Sequence, residues 1–410
     1  MLILAIGSRG DVQPAAVLAG ALKRAGVGAR VVGLKEYADV ASELGADFVP
    51  VDASIADAIG STRGHLGRLA AGSRPGQAVL LHSWSAAIAG AVSDAVLAAL
   101  KPGESLLSGV LTRDVASALA GDRKVGTLVF SGLLPTRHAE SHFLHNYFTR
   151  LDSYNRWGSA LGWTMSSSVG LSFGREMRRR LGLPRLGVRR AAVEADRHPI
   201  VVAASPTLVP PASDWPANVH QTGFLAAPVP DFQPDDHLAH WLGSGAAYVG
   251  FGSMTGGADI DSLTMLSAAA RIADRKVVTM APPGVDPGAV SERVLAVGSV
   301  PHAWLFPRCA AVVHHGGSGT THDGLRAGVP SMAVPHGVDQ PYHGWRLQRL
   351  GVGPAPLPVR KLSAERLGAL LRDFPEDEGF RARAAQVGER IRSEDGVALT
   401  VDHLIGLGFS

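Results

Sequence analysis

Leu2-Ile3-Leu4-Ala5-Ile6-Gly7-Ser8-Arg9-Gly10-Asp11-Val12-Gln13-Pro14 opens the chain, and Ala246-Ala247-Tyr248-Val249-Gly250-Phe251-Gly252-Ser253-Met254 repeats its plan in the second half. Each stretch is a short apolar run, then glycine and serine, then a helical pattern over residues 14–25 and 260–274. A run too short for a helix, closed by glycine and followed by helical periodicity, reads as a buried parallel strand feeding a helix. Similar apolar runs follow at residues 29–34, 48–51 and 105–110, and again at 277–281, 294–297 and 310–314. The expected fold class is therefore α/β, in two halves that each begin with their own strand and glycine turn.

The totals agree with two domains. A chain of 410 residues exceeds one ordinary domain, and 46% apolar against 18% charged residues lets each half bury a core. Pro206, Pro210, Pro211, Pro216, Pro228, Pro230 and Pro234 crowd one region. Repeated proline blocks helix and central strand, so residues 206–234 read as extended chain. The boundary is expected near 225–235: a first domain 1–225, a linker 226–235 and a second domain 236–394. Helical runs are expected at 364–372 and, last, at Gly396–Gly406.

Charge excludes one class of partner. Basic and acidic residues number 39 and 36, net +3, with no Lys/Arg stripe to track a nucleic acid backbone. Arg178-Arg179-Arg180 reads as a solvated helix face. The single cysteine, Cys309, sits in apolar sequence and reads as a buried small hydrophobe in a reducing compartment. No basic leader precedes the first strand, and no stretch approaches the roughly 20 apolar residues of a membrane span. A cytoplasmic protein is expected, with peripheral membrane contact left open. Phe143, Tyr147, Phe148, Tyr154, Trp157 and Trp163 concentrate in a chain that is only 6% aromatic. They read either as a core-facing helix or as the wall of a pocket for a flat, apolar compound.

The stretch that carries chemistry is Val312-Val313-His314-His315-Gly316-Gly317-Ser318-Gly319-Thr320-Thr321. A buried strand ends in glycines and hydroxyls, and a helix is expected to open at Thr321 or His322. Glycines admit an anion to backbone N–H groups, and a helix N-terminus favours negative charge, so this is a diphosphate cradle. No G-K-[ST] follows, which excludes a Walker loop. Neither opening strand is followed by G-x-G-x-x-G, which excludes a nicotinamide dinucleotide fold.

From residue 300 to 353 the sequence resembles the donor-binding signature of family 1 glycosyltransferases of the GT-B fold. The resemblance rests on Pro301-His302-Ala303-Trp304-Leu305-Phe306-Pro307, the histidine–glycine cradle, Gly324-Leu325-Arg326-Ala327-Gly328-Val329-Pro330 and Asp339-Gln340-Pro341. It is closest to the sterol glucosyltransferase branch and to the glycopeptide and macrolide antibiotic branches. The segments 7–14 and 250–254 match the same families, whereas residues 55–200 resemble them only loosely.

The resemblance implies two facing Rossmann-like domains with a central cleft, the acceptor on the first and a UDP- or dTDP-sugar on the second. It implies that the final helix, about 395–410, packs back on the first domain. Transfer would go to a hydroxyl of an apolar acceptor, a polyketide, antibiotic aglycone, sterol or hydroxylated lipid, with inversion and without metal or organic cofactor. Asp11 takes the position of the general base, although aspartate there also caps a helix well. Ser8, Arg9, Gly10 and Ser253 fall at the donor diphosphate, with turn formation as the plain alternative for the serines. His315, Gly317, Ser318, Gly319 and Thr320 would hold the two phosphates, and His314 would pack at the strand end. Val300 and His302 would lie near the base, Asp323 near the ribose, and Asp339 and Gln340 near the donor sugar. Phe143, Tyr147 and Trp157 are the acceptor-site candidates. The scattered histidines lack zinc-ligand spacing, and Asp259-Ile260-Asp261 reads as helix capping, so no metal is expected.

Overall fold

Alternation along the first strand divides two cores. Met1, Ile3 and Ala5 join one apolar cluster and Leu2, Leu4 and Ile6 the other, as opposite faces of a strand require. The computed structural model describes residues 1–54, 74–142, 152–229, 231–243, 245–251, 259–282 and 284–410. They form two units, Met1–Ala227 with Asp395–Ser410, and Pro228–Glu394.

In the first unit β1 (Leu2–Leu4), β2 (Arg30–Leu34), β3 (Asp47–Val51), β4 (Leu106–Gly109), β5 (Val125–Val129), β6 (Ile200–Val202) and β7 (Val219–Gln221) form a parallel sheet. Their order is β3-β2-β1-β4-β5-β6-β7 among the described residues. One face packs the first helix, Arg9–Arg24, together with Val401, Leu404 and Phe409 from the end of the chain. The other face packs Arg74–Ala99, Arg113–Ala118 and, through Phe173 and Met177, the long helix Asp152–Arg180. The closing helix Gly396–Gly406 is tied to the first unit by a Thr400–Thr222 hydroxyl bond of 2.7 Å.

In the second unit β8 (Ala247–Gly250), β9 (Val277–Met280), β10 (Gly288–Ser291), β11 (Val294–Val297), β12 (Val312–His314) and β13 (Ser331–Ala333) take the order β10-β11-β9-β8-β12-β13. Only the β10–β11 pair at the edge is antiparallel. Helices Asp259–Ala273 and Ala364–Asp373 pack together against one face, while Trp241, Trp304 and Phe306 fill the other.

Four readings are corrected. Residues 206–234 are not an extended linker throughout: the N–H groups of the buried Leu208 and Val209 turn back to the Ser205 carbonyl oxygen at 3.1 and 2.9 Å, and β7 joins the sheet as its edge. An edge strand of three residues that starts after Pro216 asks no proline to donate to a ladder. Arg178 is not on a solvated face. Its guanidinium is buried between Asp114, at 3.4 Å, and Glu194, at 2.8 Å. The cradle helix begins at Ser318, a turn earlier than expected, because first-turn amides need no partner within the helix and so tolerate Gly319. Finally, Val79–Ala99 is long and apolar enough to cross a membrane by length and composition. Within it Trp84, Ile88, Val92 and Val96 pack under the sheet, Trp84 edge-on to Phe173.

The long helix is pinned by a buried arginine. Arg113 lies 3.6 Å above the Trp163 ring, 3.0 Å from Asp196, and donates to the Trp163 carbonyl and the Ser167 hydroxyl. Burial pushes its pKa down to about 10, so it stays charged and depends on those partners. Arg113→Met is expected to destabilise the protein by about 3 kcal/mol, leaving Asp196 without its cation. Urea unfolding measures this, and a loss below about 0.5 kcal/mol would show the cluster to be dispensable.

Candidate functional site

β12 lies between β8 and β13 and delivers His314 and His315 to the carboxyl edge of the second sheet. His314 is fully buried and its Nδ1 accepts the Gly316 N–H at 3.0 Å, which bends the chain out of the strand. Gly316 has φ +89°, and a Cβ there would stand 2.8 Å from the Gln340 carbonyl oxygen. Only glycine fits both demands. The ring of His343 holds the Gly316 carbonyl oxygen at 2.7 Å. Gly317 is the N-cap of helix Ser318–Ala327 and supplies no side-chain cap. A Cβ on Gly317 would collide with His315 Nε2, whereas one on Gly319 would meet nothing within 4 Å. The first turn thus presents a glycine surface beside an imidazole edge.

The histidines here are kept neutral. Burial, with His336 and other histidines as neighbours, pushes His315 down to about 4, and burial drives His314 well below its ordinary range. His322 falls to about 3 for the same reason, and its Nδ1 lies 2.8 Å from the Ser318 carbonyl oxygen. His336 is lowered by burial as well. His314 Nε2, His315 Nδ1 and His336 Nδ1 are buried without a hydrogen-bond partner among the described residues. Buried polar atoms are rarely left so unless something else completes them.

Other expected donor residues take separate positions around this turn. His302 stacks on Phe306 with centroids 4.3 Å apart, and its Nδ1 is 3.4 Å from Asp323 Oδ2. Val300 is buried in the same apolar cluster as Phe306. Gln340 is buried, and its side-chain oxygen accepts the N–H groups of His336 and Gly337 at 2.8 and 3.1 Å. That oxygen closes the turn rather than pointing outward for a sugar. Asp339 is half-buried and follows Val338, whose φ of +53° is strained for a β-branched residue. His336 and His343 were visible in the sequence only as members of a dismissed metal set. Their role in shaping the turn needs the fold to be seen. Among the described residues no group of three or more His, Cys, Asp or Glu is placed to hold a metal.

The first unit repeats the strand–turn–helix device with a different ending. Ser8 is the N-cap of Arg9–Arg24, and Asp11 closes a capping box. Asp11 Oδ2 accepts from Ser8 N at 2.8 Å and from Ser8 Oγ at 3.1 Å, while Ser8 Oγ accepts the Gly10 N–H at 3.2 Å. Arg9 Nε donates to Gln13 Oε1 at 3.0 Å. A Cβ on Gly7 would collide with the Asp11 carboxylate, so the glycine makes room for it. Nearby Tyr37 is pushed up to about 12, mainly by burial and then by Glu36. Trp157 is 63% exposed on the long helix, and Trp163 is buried under Arg113. Phe143, Tyr147 and Ser253 lie outside the described residues.

Two Rossmann-like units, one holding an open glycine–histidine turn and the other a capped carboxylate, make up the GT-B fold. Its likeness to solved structures spans the chain. The glycosyltransferase of kitacinnamycin superposes with a TM-score of 0.70 at 18% identity, covering 100% of this chain and 98% of that one. Within the class the chain resembles the family 1 glycosyltransferases of the sterol and macrolide branches. Residues 263–407 match the family described as erythromycin biosynthesis protein CIII-like, C-terminal domain. A sterol 3-beta-glucosyltransferase of Yarrowia lipolytica is 30% identical over 96% of this chain and 28% of its own length. O-mycaminosyltylonolide 6-deoxyallosyltransferase of Streptomyces fradiae is 35% identical over 54% of this chain and 53% of its own. The chain therefore spans between about a quarter and a half of these two curated relatives.

The two glycines of the turn separate by substitution. Gly316→Ala is expected to destabilise the protein by about 2 kcal/mol, through its positive φ and the Gln340 carbonyl. Gly319→Ala, in open space on a first helical turn, should be neutral or stabilising by up to about 1 kcal/mol. Thermal or urea unfolding of the pair reads the difference, and equal losses would contradict this geometry.

Proposed function

We propose that the protein is an inverting glycosyltransferase that moves a sugar from a UDP- or dTDP-sugar to a hydroxyl of an apolar acceptor. The acceptor in this reading is a natural product such as a polyketide or antibiotic aglycone. The observation that carries it is the uncapped glycine N-terminus of Ser318–Ala327, set against His315 at the carboxyl edge of a parallel sheet. Ligands of open α/β sheets bind at such edges, and a helix N-terminus of this kind favours a diphosphate.

The chemistry is a direct displacement. Asp11 accepts the proton of the acceptor hydroxyl, and the two hydrogen bonds from Ser8 to Oδ2 fix the plane of that carboxylate. The acceptor oxygen forms its bond to the anomeric carbon as the bond to the diphosphate oxygen breaks, and the electron pair leaves with the diphosphate. First-turn amides of Ser318–Ala327, with His315, stabilise the leaving charge, so no metal or organic cofactor has a part. Asp323, Asp339 and the His302–Phe306 stack are assigned to the ribose, sugar and base. Trp157, with Phe143 and Tyr147, is assigned to the acceptor. We place the activity in the cytoplasm, at or near a membrane where the acceptor is lipid-like.

A sterol or hydroxylated lipid is the second acceptor reading, favoured by similarity to a sterol 3-beta-glucosyltransferase along 96% of the chain. A binding protein that holds a nucleotide sugar without transfer is the reading from another class.

Thermal unfolding with UDP, dTDP, their glucose conjugates and NAD tests the donor site. A ligand at about 100 times its Kd adds roughly 2.7 kcal/mol, so one pyrimidine diphosphate should raise Tm while NAD does not. Gly319→Ala should remove that shift while leaving the fold stable. Asp11→Asn should lower transfer at least about 100-fold yet keep the nucleotide shift. Transfer unchanged in Asp11→Asn would remove Asp11 from the mechanism, and no nucleotide shift at all would overturn the donor site.

A further inference from the structure

We propose that Asp214 is a positioning residue for the acceptor: its carboxylate ties the loop after β5 to the helix that carries Trp157, and so fixes where that helix presents its apolar face. The inference rests on the reading above, in which the acceptor binds the first unit beside Trp157.

β5 and β6 are adjacent and parallel, so the loops that follow Val129 and Val202 leave the sheet at its carboxyl edge. Asp11 follows β1 at the same edge, two strands away. Ligands of open α/β sheets bind outside the carboxyl ends of the strands. Asp214, in the second of these loops, gathers three donors. Its Oδ1 accepts from Thr136 Oγ1 at 2.6 Å, and its Oδ2 accepts the Arg137 N–H at 2.9 Å and Arg156 Nη1 at 3.3 Å. Thr136 and Arg137 belong to the loop after β5, and Arg156 to helix Asp152–Arg180. The same two elements meet again beside the carboxylate. Ser159 Oγ accepts the Thr136 N–H at 2.9 Å, and Asn155 Nδ2 donates to the Arg137 carbonyl oxygen at 3.2 Å. Burial opposes the charge on Asp214, but the Thr136 hydroxyl and the Arg137 N–H outweigh it and hold the carboxyl below its ordinary range. The bonds that meet at Asp214 are therefore charge-assisted at neutral pH, the stronger kind.

Asn155 and Ser159 lie one turn apart on the buried face of the helix and both reach into this knot. Tyr154, Trp157, Leu161 and Met165 follow one another at helical spacing on the other face, exposed by 55%, 63%, 42% and 51%. A helix braced on one side and apolar on the other presents that stripe in a fixed direction. Arg113 grips the same helix further on, at Trp163 and Ser167. Trp157 precedes that grip by about 9 Å along the axis. Without the knot, a tilt of about 10° about Trp163 would carry Trp157 about 1.5 Å. A misplacement of about 1 Å is enough to cost a reaction about a hundredfold in rate.

Glucose transfer by the full chain from UDP-glucose or dTDP-glucose tests this, with a hydroxylated anthraquinone and cholesterol in detergent micelles as acceptor probes. Asp214→Ala and Thr136→Val are each expected to lower kcat/KM for the acceptor at least about tenfold. KM for the donor should stay within about twofold, and the nucleotide should raise Tm as it does in the unsubstituted protein. Thr136→Ser, which returns the hydroxyl, should restore acceptor use. Because Asp214 acts through the placement of Trp157, Asp214→Ala combined with Trp157→Ala should lose little more than the larger single loss. Should Asp214→Ala fail to fold, the Thr136 pair decides. Acceptor kinetics unchanged in the folded variants would overturn the inference and leave the transfer reading standing. Donor KM rising as much as acceptor KM would overturn it too, by making the knot a general structural support. Transfer to neither probe by the unsubstituted protein would remove the acceptor reading and this inference together.

Discussion

The two strand–turn–helix segments described above differ in how each satisfies the N–H groups at the head of its helix. Such amides have no partner within their own helix and must find one outside it. In the first unit the chain answers locally: Ser8 and Asp11 close a capping box over Arg9–Arg24. In the second unit the helix Ser318–Ala327, which follows β12, has Gly317 at its head; that residue brings no side chain, and the helix has no side-chain cap among the described residues. One device, strand then turn then helix, is thus closed by side chains in one unit and headed by a bare glycine in the other.

Keeping the second turn open has structural costs that the surroundings absorb. Gly316 occupies left-handed backbone with the Gln340 main chain pressed against it, and His343 and the Gln340 side chain brace the facing loop. Val338 accepts a strained φ in that same loop. Three imidazole nitrogens are buried there without partners among the described residues. A protein interior tolerates orphaned polar atoms sparingly, and the described residues gather three of them at this one turn.

Much of this was legible in the chain because the signals are local. Short apolar runs located β1, β2, β3, β4, β8, β9, β11 and β12 to within a residue or two, and Gly396–Gly406 was read at its observed bounds. The strand–glycine turn–helix order of residues 312–327 was legible because glycine closes the strand and hydroxyl residues open the helix. What escaped depends on distant neighbours. β6 and β7 are only three residues each, too short to stand out as apolar runs, and they pair because β5 offers them a sheet to extend. Arg178 looked solvated beside Arg179 and Arg180 until Asp114 and Glu194, on other helices, enclosed it. Asp11 was expected either as a base or as a cap, and the capping box shows that its carboxylate is held by Ser8 whichever chemistry it performs.

The chain passes between the units twice, after Ala227 and again after Glu394. Val401, Leu404 and Phe409 lie in the same apolar cluster as Met1, Ile3 and Val12. The core begun by the first residues is thus completed by nearly the last ones. During synthesis from the N-terminus this unit has to wait, with part of one sheet face uncovered, while the whole of the second unit is made and can fold ahead of it. A substitution at Val401 or Leu404 thus opens a core whose other residues lie nearly 400 positions away in sequence.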